Sequence, residues 1–409
     1  MSDDLTPSLP LSLPLRPADL RGLSRLVVDG VLGVTDVVEA MHGRIAAGPI
    51  PGTLPALFGG GRDGRTAGLT GLVYRAVRGT TRGVGRGLDA VLRAIPDAPA
   101  HAGPHATRRE RSPAREAFVA ALNGVFGDHL AATGNPLAIP MVIRGAGGDG
   151  EGDGEASGLQ HTASPDLVVM IHGLAMNDLQ WRRHGQDHGE TLARALGASV
   201  AYVHYNTGRA IAENGRELSA QLDALVAGWP VPVRSIALVG HSMGGLVARS
   251  ACLAGESSGA AWRALLTHLA CLGTPHHGAP LERAGQLVDG LLGVSGYAAP
   301  IARVTRARSA GITDLRHGMA TPLPRGVRCH LVAATTSDRV GGLHGATIGD
   351  GLVPVASALG DSADPALALG VPRRDRLVLA GTGHFDLLDR AQVAEALADW
   401  LGEGRPAQR

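Results

Sequence analysis

Beyond residue 165 the apolar residues stop recurring at helical spacing and gather into short, unbroken runs. These are DLVVMIHG (166–173), SVAYVHYN (199–206), SIALVGHS (235–242), THLACLGTP (267–275), VRCHLVAATT (327–336) and RLVLAGTGH (376–384). A strand covered on both faces is apolar at every position, so such runs predict buried parallel strands. Helical patterns lie between them, as in ENGRELSAQLDALVAGW (213–229) and GGLVARSACLAG (244–255). Strand–helix alternation over about 240 residues predicts an α/β fold with a doubly wound, mostly parallel sheet.

The chain ahead of this region has another rhythm. Residues 1–17 are a Pro/Leu/Ser tail, expected to be disordered. Leu20, Leu23, Val27, Val31, Val34, Val38, Met41 and Ile45 then step by threes and fours, one face of a helix of about seven turns. After a Gly/Pro loop (48–64) comes a second stripe: Leu69, Val73, Val77, Val84, Leu88, Val91 and Ile95. Its other side carries Arg75, Arg78, Arg82, Arg86 and Arg93. Residues 96–114 read as loop, and Ser112-Pro113 opens a third helix reaching about Leu130. The expected organisation is a tail (1–17), a helical region (18–135), a flexible acidic and Gly-rich linker (145–164) and an α/β domain (165–404).

Two readings fit the helical stripes. Both helices pack on the α/β domain or on each other, with Gly79, Gly83 and Gly87 at four-residue spacing permitting close contact. Or the arginine face of the second helix binds anionic lipid, which would make the protein peripheral to a membrane.

Charge and composition remove several function classes. Thirty-eight basic residues against 37 acidic leave a net charge of +1, unlike the basic excess of a general nucleic-acid binder. All the basic residues are arginine, so Schiff-base and Ser-Lys mechanisms are excluded. Cys252, Cys271 and Cys329, widely spaced, make neither a disulfide framework nor a zinc site. The stretch DGEGDGE (149–155) lacks the ligand set of a calcium loop, and no metal or organic cofactor is expected. The start, MSDDLTPSLPLSLPLRP, is not a secretory leader, and no run of 18 uncharged apolar residues occurs. A soluble, cytoplasmic protein is expected.

The chemistry centres on Gly240-His241-Ser242-Met243-Gly244-Gly245, directly after the run SIALV. A bare G-x-S-x-G is weak in a chain holding 59 glycines. Its context gives it meaning: a strand enters, a helix pattern leaves, and Gly240 and Gly244 permit the sharp turn that lifts a serine hydroxyl above a sheet. The plain alternative is a glycine-rich strand–helix turn. A serine needs a base. His384, in TGHFD after the last strand, lies at the carboxyl edge of the sheet where loops from parallel strands meet. The acid that orients it should come between them. Asp350 in IGDGLVP is the choice, with Asp338 as rival and Asp361 weaker. Oxyanion donors would be the backbone N–H groups of Met243 and of Leu174, the latter after His172-Gly173.

In their order, His172-Gly173, GHSMGG (240–245), LGTPHHG (272–278), GDGLVP (349–354) and GHFDLL (383–388) resemble an α/β-hydrolase of the bacterial lipase / GPI inositol-deacylase-like group, from about 166 to 402. The resemblance implies Ser242 as nucleophile, Asp350 as acid, His384 as base, and a lid over about 279–320 covering an acyl-binding cleft. It makes His276 and His277 loop or pocket-rim residues. It leaves 1–130 uncovered. The expected function is hydrolysis of lipid-like or acyl esters. Acyl transfer by the same residues and a non-catalytic membrane- or partner-binding module are the alternatives. Asn177-Asp178 reads as a charged rim without an assigned role.

Overall fold

The computed structural model describes residues 15–47, 66, 68–95, 111–145, 163–279, 309–339 and 349–403. Residues 1–14 of the expected tail, the loops near 48–64 and 96–110, the acidic stretch from 146 onward and most of the expected lid (280–308) lie outside these residues. The chain forms two compact units, Met1–Ala100 with Thr133–Leu137, and His101–Ala132 with Ala138–Arg409.

In the first unit, α1 (Pro17–Ala47) and α2 (Gly68–Ala94) pack side by side. Their seam is ionic. Arg25 donates to Asp89 at 2.7 and 3.0 Å, and Arg78 donates to Asp36 at 2.8 Å and to Glu39. Glu39 also accepts from the Thr66 hydroxyl at 2.9 Å and the Thr66 N–H at 3.1 Å. Arg78 and Glu39 are buried, so each charge is stabilised by its partner. Two expectations need correction. Gly79, Gly83 and Gly87 face open space; a Cβ at Gly85 would instead lie 2.8 Å from Val28, and this is where α2 closes on α1. The apolar stripes are not the packing faces: Val27, Val34, Val84 and Val91 are all more than 60% exposed. Arg78 leaves the expected arginine face for the seam.

The second unit holds a seven-stranded sheet. Its strands are β1 (Val142–Gly145), β2 (Asp166–Ile171), β3 (Ser199–His204), β4 (Ser235–His241), β5 (Leu266–Leu272), β6 (Arg328–Ala334) and β7 (Arg376–Leu379). They lie in the order β1-β3-β2-β4-β5-β6-β7, parallel except for β1, which runs against β3. The expected strands are there. The unexpected one is β1, an edge strand of only four residues. Flanking helices are α3 (Pro113–Ala132), α4 (His188–Leu196), α5 (Ile211–Ala227), α6 (Met243–Ser258), α7 (Ala310–His317) and α8 (Ala391–Gly402). β2 and most of β4 are wholly buried, as expected of central parallel strands with helices on both faces. The third helix of the sequence reading, α3, belongs to this unit rather than to the α1–α2 pair. Among the described residues, no helix is long and apolar enough to cross a membrane.

Candidate active site

β4 ends in a backbone reversal at Ser242, whose φ of 53° and ψ of −122° are strained for any residue with a Cβ. Two glycines make the reversal possible. A Cβ at Gly240 would lie 2.5 Å from Gly245 N, and one at Gly244 would lie 2.2 Å from Ile171 O. The Ser242 N–H donates to Leu272 O at 2.8 Å, which fastens the turn to β5. α6 starts at Met243, whose N–H, in the first helical turn, has no acceptor within the helix.

His384 and Asp350 meet on the loops beyond β7 and β6. His384 Nδ1 is 2.7 Å from Asp350 Oδ2, and the His384 N–H donates to Asp350 O at 3.0 Å. The other carboxylate oxygen, Oδ1, accepts from the N–H groups of Val353 (2.8 Å) and Leu352 (3.0 Å). Both side chains are buried. An Nδ1–H facing the carboxylate leaves Nε2 as the ring's acceptor, and Nε2 has no partner among the described residues. Of the rival acids, Asp338 is exposed and Asp361 is paired with Arg376 at 2.7 Å.

Ser242 and Leu174 line one narrow pocket with Pro275, Ala279, Ile312, Leu315 and Val353. A Cβ at Gly173 would lie 3.0 Å from Ser242 Cβ, so the loop after β2 passes directly beside the serine. Ile312 and Leu315 come from α7, within the span expected for the lid. α3 supports both this helix and the loop. The Ser309 hydroxyl, which caps α7, donates to Gly124 O at 2.7 Å, and Asp128 accepts from Ala310 N at 2.9 Å. Gly124 also lets Ala175 approach, since a Cβ there would lie 2.6 Å from Ala175 Cβ.

The Leu174 loop is held by residues to which the sequence alone assigns no such role. Ala175 has φ 54°, and its N–H donates to the Thr207 hydroxyl at 2.9 Å. His172 stacks on Tyr205 with ring centroids 4.5 Å apart, and the Tyr205 hydroxyl donates to His172 O at 2.8 Å. Asn177 caps the short turn that follows. Asp178 is no rim residue. It is buried, accepts from Arg111 at 2.6 and 2.8 Å and from Arg144 at 3.2 Å, and lies 3.0 Å from His204 Nδ1. Burial alone would raise its pKa, but the His204 ring and the Arg111 guanidinium outweigh burial and hold the carboxyl well below the usual range. A sequence gives little sign of this, because Arg111 is 67 residues away. His276 is likewise not at the pocket rim. It is wholly buried, with Nδ1 2.9 Å from Arg249, whose guanidinium also reaches the carbonyls of Met319 and Thr321.

Burial pushes the pKa of His172 down to about 3 and holds His204, His241 and His276 below the ordinary histidine value. These rings are neutral in the folded protein and take up protons once unfolded. Their contribution is therefore intact above about pH 6.5 and falls as pH drops below it. Thermal melts from pH 7.5 to 5 are expected to show a steady fall in Tm below pH 6.5. A flat profile would contradict the burial of these rings.

Residues 163–298 match the family model of the PGAP1-like alpha/beta domain. No curated protein matches the sequence. Similar solved structures include a Bacillus licheniformis lipase, BlEst2 in mature form, at 18% identity and TM-score 0.41, covering 64% of this chain and 98% of that one. A hydrolase from Pseudomonas aeruginosa is 16% identical with TM-score 0.38, covering 65% and 95%. YbtT, a type II thioesterase from the yersiniabactin pathway, is 18% identical with TM-score 0.37, covering 59% and 92%. With a mostly parallel sheet flanked by helices, the second unit has an α/β-hydrolase fold, and its residues 163–298 are similar to the PGAP1-like alpha/beta domain.

Proposed function

We propose that the protein is a serine hydrolase cleaving carboxylic esters whose acyl part is apolar. One observation supports this above the rest: a strained serine at a helix N-terminus shares the sheet's carboxyl edge with a buried histidine whose Nδ1 is held by a carboxylate and whose Nε2 is free. The Ser242 hydroxyl attacks the ester carbonyl as His384 Nε2 takes its proton, and Asp350 stabilises the imidazolium. The oxyanion is received by the N–H groups of Met243 and Leu174. His384 returns the proton to the departing alcohol, leaving an acyl group on Ser242. A water, deprotonated by His384, then releases the acid and restores the serine. Leu174, Ile312, Leu315 and Val353 provide apolar walls for the acyl chain.

The test is pre-steady-state kinetics on p-nitrophenyl esters of increasing chain length, with wild type and Ser242→Ala side by side. The expected result is a burst in the wild type and a loss of at least ~10³-fold in turnover for the variant. Equal rates in the two proteins would overturn the reading.

A further inference from the structure

Among the described residues, thirteen of the sixteen exposed large hydrophobic side chains lie on α1 and α2, and a fourteenth, Ile95, directly follows α2. The sheet unit contributes only Leu253 and Leu367. The paired helices therefore bury ion pairs in their mutual seam and turn their valines outside, unlike an ordinary water-soluble helical hairpin. We propose that this outer surface is a self-association interface, on which the helix pair of a second copy of this chain closes to form a four-helix bundle.

Three observations commit the surface to that occupant. The first is spacing. On α1, Val27, Val31, Val34, Val38 and Met41 recur at intervals of four and three, and Val84, Leu88 and Val91 of α2 do the same, continued by Ile95 just past its end. A repeat of 3.5 residues keeps a narrow seam turned toward another helix along its whole length. The second is area. These side chains amount to on the order of 1,000 Å² of apolar surface per chain, beyond the few hundred of a typical monomer patch and comparable with the ~800 Å² each partner gives a stable interface. The third is charge. Arg75, Arg82, Arg86 and Arg93 follow a different line of α2, so bringing two stripes together buries none of them. A two-fold axis sets like surface on like, and an uncharged apolar stripe is complementary to itself.

An anionic bilayer is the other occupant the arginines suggest. It fits less well. The stripes carry no aromatic anchor; the aromatic residue of α2, Tyr74, lies against His42 of α1 with its hydroxyl 3.2 Å from Nδ1.

The experiment uses the full chain and analytical ultracentrifugation at micromolar concentration, comparing wild type with Val34→Asp/Val84→Asp. Both substituted positions are exposed, at 65% each, so the monomer fold is unaffected, which far-UV circular dichroism and unchanged turnover of a short p-nitrophenyl ester verify. The wild type is expected at twice the 41.8 kDa of one chain, and the variant at the single-chain mass with self-affinity weakened at least ~100-fold. A wild type that sediments as a monomer would overturn the proposal, as would a dimer that survives both aspartates. So would a monomeric wild type that pellets with phosphatidylserine vesicles while the variant does not.

Discussion

Asp350→Asn is expected to lower kcat by about 10⁴ with little change in KM, while the protein stays folded. The geometry fixes how the amide must sit. Asp350 Oδ1 accepts from Leu352 and Val353, and only an oxygen satisfies those two N–H groups, so the asparagine places its NH2 where Oδ2 was. That NH2 faces His384 Nδ1 at the position now 2.7 Å away. A donor there forces the ring into the tautomer with its proton on Nε2, and under the proposed mechanism that nitrogen can no longer accept the Ser242 hydroxyl proton. The hydrogen bond survives and the base is lost. Steady-state kinetics and Tm on the same preparation check this: a fall below ten-fold in kcat would mean that His384 does not act through this pair.

Asp178→Ala is expected to cost 3–5 kcal/mol of stability, the usual consequence of removing one partner from a buried ion pair. It leaves Arg111 paired with Glu116 at 2.8 Å and removes the 3.2 Å hydrogen bond from Arg144. Urea denaturation would show the loss as a lowered midpoint at unchanged slope. The pH dependence carries a sign of its own. Because the folded carboxyl has its pKa depressed, its contribution is complete above the unfolded value of about 4 and disappears as pH falls through the folded one. The gap between wild type and variant is thus expected to be constant from pH 7 to 5 and to narrow below pH 4. The substitution should also reduce turnover, since Asp178 lies four residues beyond Leu174 on the loop proposed to donate to the oxyanion.

Much of the sheet unit is legible in the sequence because central parallel strands are buried on both sides and must be apolar throughout. β2 to β6 each show as a continuous run, and the turn at Ser242 shows because only glycine fits at 240 and 244. β1 does not show, since four residues at a sheet edge carry too little pattern. Periodicity found α1 and α2 but misjudged their direction. A stripe tells which residues share a face, not what that face meets. The seam depends on pairs such as Arg25–Asp89 and Arg78–Glu39, 64 and 39 residues apart, which no local pattern reveals. The choice of Gly85 over Gly79, Gly83 and Gly87 as the contact glycine depends on the same register. Asp178 reads as a rim residue in the sequence for a related reason, because a buried carboxylate is recognisable only through its distant arginines.

The central claim is that Ser242 is the nucleophile. Its most direct test is to react the full chain with a fluorophosphonate, which modifies a serine only where a neighbouring base and oxyanion donors activate it, and to map the adduct by peptide mass spectrometry. The account predicts one adduct per chain, on Ser242, formed at least ~10³-fold more slowly in Asp350→Asn. An adduct on another residue, or an unmodified Ser242 in folded protein, would contradict it.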